Sequence, residues 1–214
     1  IPLPAGWASQ NLSGPTIGST GWFQGNTTVF NAYNGAPTSY IAANFNNVAG
    51  SGTISNWLFT PEVPLANGNI ISFYTRGTGS IFPDRLQLRL STSGSSVNAG
   101  TSETSVGDFT TLLLDINSTY GTYPDTWTLF TVTLSGLSGP TTGRFAFRYF
   151  VEDGGPSGNN SDYMGIDQVT YGASCSGTPT PGNTLSTATT ACPGVPFTLS
   201  LQDPGGLGIT YQWQ

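Results

Sequence analysis

No window of eleven or more residues in this chain sustains the apolar spacing of an amphipathic helix, whereas period-2 alternation recurs throughout. In residues 85–91, Leu86, Leu88 and Leu90 face one way while Arg85, Gln87 and Arg89 face the other. Residues 128–134 set Phe130, Val132 and Leu134 on one face against threonines on the opposite one. Residues 144–151 put Phe145, Phe147, Tyr149 and Val151 on a single parity, the mark of a half-buried strand. Further strands are predicted at 39–45, 53–61, 69–76, 109–116 and 163–171, and 109–116 is apolar enough for a central place in a sheet. The 29 glycines and 15 prolines, set among Ser, Thr and Asn, punctuate these runs as turns. An all-β chain follows, with its first 173 residues forming a jelly-roll β-sandwich.

Composition then narrows the function classes. Charged residues make up 7% of the chain, but 36% are hydrophobic and 12% aromatic, so it does not read as disordered. The net charge of −6 comes with five arginines and no lysine. There is no basic stripe for nucleic acid or for an anionic membrane surface. No apolar run approaches the ~20 residues of a membrane-spanning helix. The opening Ile1-Pro2-Leu3-Pro4, without a signal pattern, reads as the start of a processed or trimmed product. With no histidine and no lysine, neither a Ser/His/Asp or Cys/His set nor a serine–lysine dyad can be assembled. Asp153 and Asp162 are the nearest thing to a glycosidase carboxylate pair, and nothing around them marks a partner of raised pKa. The expectation is a non-enzymatic protein.

Composition shifts at Gly172. Residues 174–195 read as a Ser/Thr/Pro/Gly-rich linker holding Cys175 and Cys192, the only cysteines. Their spacing matches no zinc pattern. An oxidised pair would stabilise by about 3 kcal/mol through loop closure and would suit an extracellular protein; the alternative is two free thiols. Residues 196–202 and 209–213 read as strands. Leu199 and Trp213 have the separation of the strand-B core residue and strand-C tryptophan in immunoglobulin-like sandwiches, so 196–214 reads as the truncated start of such a domain.

Glu152, Asp153, Asp162 and Asp167 place four of eleven acidic residues within sixteen positions of the closing segment. Several carboxylates delivered to one loop suit a hard cation such as calcium. Asp167 is the leading candidate, because a buried carboxylate must be paired or metal-bound; an arginine pair or a backbone-bonded aspartate are the other readings. Ile166 and Val169 have opposite parity, so either both faces are covered or a bulge intervenes. Asp153 and Asp162, flanking the loop Gly154–Asn160, and Asp84, opening a strand after Phe82-Pro83, are further candidate calcium ligands or else solvated loop acids. Glu152 would point the other way from Asp153 in extended chain. Trp57 and Trp127 read as core. Trp22 and Tyr33 sit amid Asn, Gln and Gly, where an aromatic can stack on a sugar face while amides bond its hydroxyls; the alternative is that both plug a sandwich end.

Residues 4–171 resemble the choice-of-anchor J domain family, related to the cleaved adhesin domains of bacterial surface proteases. The resemblance is carried by Pro4-Ala5-Gly6-Trp7, by Ser55-Asn56-Trp57-Leu58-Phe59-Thr60-Pro61, by Ile71-Ser72-Phe73, by 86–94, by Trp127 with its strand, and by Gly165-Ile166-Asp167-Gln168-Val169. It implies a calcium-stabilised jelly roll in secreted, multidomain bacterial surface proteins, with adhesion or ligand binding as its role and a cell-surface glycan or protein as partner. The tail resembles the immunoglobulin-like modules that follow such domains. Family members commonly carry an acidic residue on a strand before the segment matching Pro4–Trp7, a position this sequence does not include. A metal site using it would be incomplete here. A structural reading stands beside the binding one: a spacer or filament subunit, joined to neighbouring copies by strand addition through the open C-terminal sheet.

Overall fold

The computed structural model describes residues 2–173, 182–190 and 193–202. The chain divides into two compact units, Ile1–Tyr171 and Gly172–Gln214. The strands of the first are β1 (Ala8–Asn11), β2 (Phe23–Gln24), β3 (Ile41–Asn44), β4 (Gly52–Phe59), β5 (Val63–Leu65), β6 (Asn69–Gly77), β7 (Leu86–Ser91), β8 (Thr111–Ile116), β9 (Thr128–Thr133), β10 (Thr141–Gly154) and β11 (Tyr163–Ala173). One sheet runs β1-β4-β10-β7-β8, with β5 also pairing β10; the other runs β2-β3-β11-β6-β9. These sheets form the jelly-roll-like sandwich that the alternation predicts. Among the described residues a single 3-10 turn, Phe45–Asn47, interrupts the β structure, and no helix is long and apolar enough to cross a membrane.

Strand β10 organises the core. Its Phe147 is in register with Leu58 of β4 on one side and Leu88 of β7 on the other. Across the sandwich it meets Phe73 of β6 edge-on, with ring centroids 4.9 Å apart. Phe145, Phe147, Tyr149 and Val151 are all fully buried, as their shared parity requires. Each such side chain contributes about 1.5–3 kcal/mol through removal from water.

Of the opposite parity of β10, Ala146 and Arg148 are buried as well, because Ala99, Val106 and Phe109 of the segment 92–110 lie over the outer face of this sheet. Phe109 packs there against Trp57 and Phe59, with centroids 5.7 and 5.1 Å away. This explains a difference from the sequence expectation: 109–116 reads as a central strand, but β8 is an edge strand. Its apolar content is divided between covering a face (Phe109) and flanking the core (Leu113, Leu114). Strands β1, β2 and β5 are too short to carry a periodic signal, and the sequence does not announce them.

On β11 the bulge reading holds. Gln168 takes a left-handed φ of 48°, so Ile166 and Val169 both pack on the main core despite opposite parity.

In the second unit, β12 (Thr184–Ser186) pairs antiparallel with β13 (Leu199–Leu201), Leu185 opposite Ser200. A strand therefore forms inside the stretch expected to be linker, and β13 falls within the expected strand 196–202. Two strands do not define an immunoglobulin-like sandwich. Cys175, Cys192 and the expected strand 209–213 with Trp213 lie outside the described residues.

Candidate binding surface

The loop joining β2 to β3 is built onto the outer face of the second sheet. At its base Gly25 passes so close to Tyr40 that a Cβ there would lie 2.1 Å from the ring, so no larger residue fits. The Asn26 amide donates to the hydroxyls of Tyr40 and Tyr163 at 3.0 and 3.1 Å, and Tyr40 donates back to the Phe30 carbonyl at 3.0 Å. Phe30 stacks on Tyr40 and lies edge-on to Tyr163 and Trp127, forming a small satellite core. Arg76 of β6 places its guanidinium 4.4 Å from the Phe30 centroid. Trp127 donates Nε1–H to the Asn31 carbonyl at 2.9 Å, so this expected core residue closes the satellite cluster.

Asp167 completes the anchorage. Its Oδ2 accepts the backbone amides of Tyr33 and Asn34 at 2.8 and 3.1 Å, and its Oδ1 accepts the Gln168 amide at 2.7 Å. Of the readings open for this residue, the hydrogen-bonding pattern is that of the backbone-bonded aspartate. The residue is 8% exposed and its carboxylate is compensated by three N–H donors.

Held in this way, Tyr33 lies flat on Tyr74 of β6, with centroids 3.6 Å apart at 16° and hydroxyls joined at 2.9 Å. That hydrogen bond also pushes the Tyr74 phenol above its ordinary pKa. Tyr33 keeps 45% of its surface exposed. Leu129 of β9, directly opposite Tyr74, is 50% exposed. Beside them Ser72 and Thr170 join hydroxyls at 2.7 Å, and Thr131 stands opposite Ser72. The surface is an aromatic plateau bordered by hydroxyls. Tyr74 is not among the sequence candidates, although its outward parity, opposite to that of the core residues Ile71 and Phe73 as strand β6 runs on, is a readable signal.

Trp22 requires a correction. It is 7% exposed and belongs to the main core, with Nε1 buried and unpartnered, so it presents no face to a ligand. Its polar sequence neighbours mislead because the bulk of an indole is placed by burial, not by adjacent residues.

The four expected metal ligands occupy three separate places. Asp84 is 3% exposed; its Oδ1 accepts the Tyr149 hydroxyl at 2.5 Å and the Asp162 amide at 2.9 Å. Burial pushes the Asp84 carboxyl up to about 7, against the lowering effect of those two donors. Asp162 accepts a short hydrogen bond from Thr78. Asp153 is exposed at φ 50° and accepts from Asn159 at 2.7 Å and Ser51 at 3.1 Å, which hold its carboxyl below the usual range. Among the described residues no three acidic or cysteine side chains come together in a group fit to hold a metal.

With this geometry in place, the chain can be set beside known proteins. It matches no family model, and no curated protein matches its sequence. Solved structures of cleaved adhesin domains share its fold. The K1 cleaved adhesin domain of Lys-gingipain from Porphyromonas gingivalis W83 superposes with a TM-score of 0.53 at 22% identity, over 81% of this chain and 94% of that one. The K3 domain of the same protein gives 0.50 at 18% identity, over 80% and 93%. The K2 domain of Lys-gingipain gives 0.51 at 18% identity, over 79% and 91%.

Proposed function

We propose that this chain is a non-enzymatic, extracellular binding module of a bacterial surface or secreted protein, and that it takes glycan ligands on the Tyr33–Tyr74 plateau. The observation that carries this reading is the exposed Tyr33 ring, pre-stacked on the half-buried Tyr74, fixed by Asp167 and flanked by hydroxyls of Ser72, Thr131 and Thr170. An apolar ring face matches the C–H face of a pyranose, and the surrounding hydroxyls match its rim. Because the loop is bonded in place beforehand, little ordering cost is left for binding. The fold shared with domains named as adhesins supports the same reading, as does a chain without histidine or lysine for acid–base work. Structural stabilisation by calcium belongs to the proposal too, motivated by carboxylates that no arginine neutralises.

A broad glycan array tests the reading, run with calcium and with chelator. Binding to a defined sugar class is expected. Tyr33→Ala and Tyr74→Ala should each weaken it at least tenfold, or ~1.4 kcal/mol. A blank array in both arms, or binding indifferent to both substitutions, overturns it.

A further inference from the structure

The two sheets of the sandwich end on β1, β8, β2 and β9. Three of these edges are blunted. β1 and β2 are four and two residues long. β8 meets β7 through a register shift beside Leu88 and Arg89 and carries Asp115, ion-paired to Arg85. Short edges, bulges and edge charges are the devices that keep a sheet from pairing with another chain. β9 has none of them. Its six residues run beside Ile70–Thr75 of β6 without a register shift, and none is charged or proline.

The end of β9 fixes which of its backbone groups face the free edge. The Leu134 amide donates to the Asn69 carbonyl at 2.8 Å, and the Leu134 carbonyl accepts the Gly68 amide at 2.8 Å, so both groups turn toward β6. These directions alternate along an antiparallel strand, so Thr128, Phe130 and Val132 do the same. Leu129, Thr131 and Thr133 then turn their amides and carbonyls off the sheet, and no loop or turn among the described residues bonds them. The side chains leave the same edge incomplete. Phe130 and Val132 pack on the main core yet are only half-buried, and Leu129 on the outer face is 50% exposed. Water can serve the free backbone groups, but the apolar side chains gain only from an apolar cover.

A second β9 meets both needs. The three outward residues are symmetric about Thr131, so antiparallel pairing of β9 with its own copy sets Thr131 opposite Thr131 and Leu129 opposite Thr133. Each is a pair that exchanges two hydrogen bonds, about six in all, with no outward group left over. Phe130 and Val132 of each copy then cover those of the other, and an edge without charge brings no like-charge repulsion to the seam.

We propose that β9 is a dimerisation edge, at which two copies of this chain join about a two-fold axis through Thr131 and merge their second sheets into one. An axis perpendicular to the sheet puts both Tyr33–Tyr74 plateaus on the same face. Tyr74 stands opposite Leu129, so the two plateaus lie four residues apart along the strands and three strand spacings apart across them, about 20 Å. A ligand with repeated units could bridge them and gain avidity. That bivalence rests on the glycan reading given above, whereas the dimer does not.

Light scattering on the full chain over a range of concentrations tests the dimer. The mass should rise from one chain toward two, because a single strand edge makes a small interface. Hydrogen exchange followed by NMR on the same samples locates the seam: the amides of Leu129, Thr131 and Thr133 should exchange freely when dilute and gain protection in the dimer. Thr133→Lys puts a charge at an exposed edge position, and Thr131→Pro removes the donor at the axis. Each should restore the monomer, with circular dichroism showing that the fold is kept. A strict monomer at every concentration overturns the proposal. So does a dimer that persists in Thr133→Lys, or one in which the three amides stay unprotected. A blank glycan array from an intact β9 dimer overturns the glycan reading and the bivalence, and leaves the dimer standing.

Discussion

Asp167 Oδ2 holds the Tyr33 amide at 2.8 Å across 134 residues of sequence. This bond joins the last strand of the sandwich to the loop that carries the exposed ring. Removing the acceptor in Asp167→Ala leaves two loop amides without their partner and should cost about 1–3 kcal/mol. Asp167→Asn, which retains one carbonyl acceptor, should cost less. Hydrogen exchange provides the specific readout: the amides of Tyr33 and Asn34 lose protection in the alanine variant while those of β10 keep theirs. Unchanged protection at both positions would show that the satellite core alone holds the loop.

Gly25 is the second support of the same loop. The 2.1 Å approach of a would-be Cβ to the Tyr40 ring means that Gly25→Ala must displace either the ring or the backbone. A loss of roughly 1–3 kcal/mol is expected, in the range for an overpacked site. Glycan affinity should fall with it, because Asn26 and Phe30 are both bonded through the Tyr40 hydroxyl. Chemical denaturation and binding, measured on the same samples, check the two effects together.

The carboxyl of Asp84 sets a pH dependence. Its folded-state pKa of about 7 lies above the ordinary 3.8, so the folded state holds the proton more tightly than the unfolded chain. The stabilisation from this group is complete below the unfolded value, declines as pH rises from about 4, and is lost as pH passes through 7. The full change amounts to at most roughly 4 kcal/mol. Urea unfolding in chelator between pH 4 and 8 should show this decline, and Asp84→Asn should flatten it.

Arg148 is buried with no carboxylate partner among the described residues. Its guanidinium lies 3.9 Å from the Phe150 centroid and 4.8 Å from that of Trp57, bonds Ser55 Oγ at 3.0 Å, and reaches the Glu103 carbonyl in the covering segment. Burial, together with the nearby Arg89 and Arg85, lowers its pKa to about 9. Lysine supplies neither the plane nor the fork, so Arg148→Lys should destabilise by about 2–4 kcal/mol. Arg148→Met, which keeps the stem and removes the charge, should cost less. A methionine variant weaker than the lysine variant would assign the larger share to the guanidinium hydrogen bonds.

Much of the sandwich is legible because strand alternation is a local property. Successive side chains point to opposite faces whatever the partner strand, so the inward rows of β6, β7, β9 and β10 can be read directly. Position within a sheet is not legible. The apolar run of β8 looks central because covering a face and filling a core demand the same residues. Gln168 shows the middle case: the parity conflict between Ile166 and Val169 is visible, but only the φ of 48° decides between a bulge and two buried faces.

The sequence by itself determined an all-β chain, the core parity of Phe145, Phe147, Tyr149 and Val151, and the absence of any histidine or lysine for catalysis. Tertiary structure alone decided that Tyr33 is displayed while Trp22 is buried, that Tyr74 is the ring beneath Tyr33, and that Asp84 is bonded to Tyr149 instead of sharing a loop with Asp153. The division has one physical reason. Backbone stereochemistry imposes the two-residue period on each strand separately, whereas ring stacking and the hydrogen bonds that hold buried carboxylates depend on contacts between segments tens of residues apart, which no local pattern encodes.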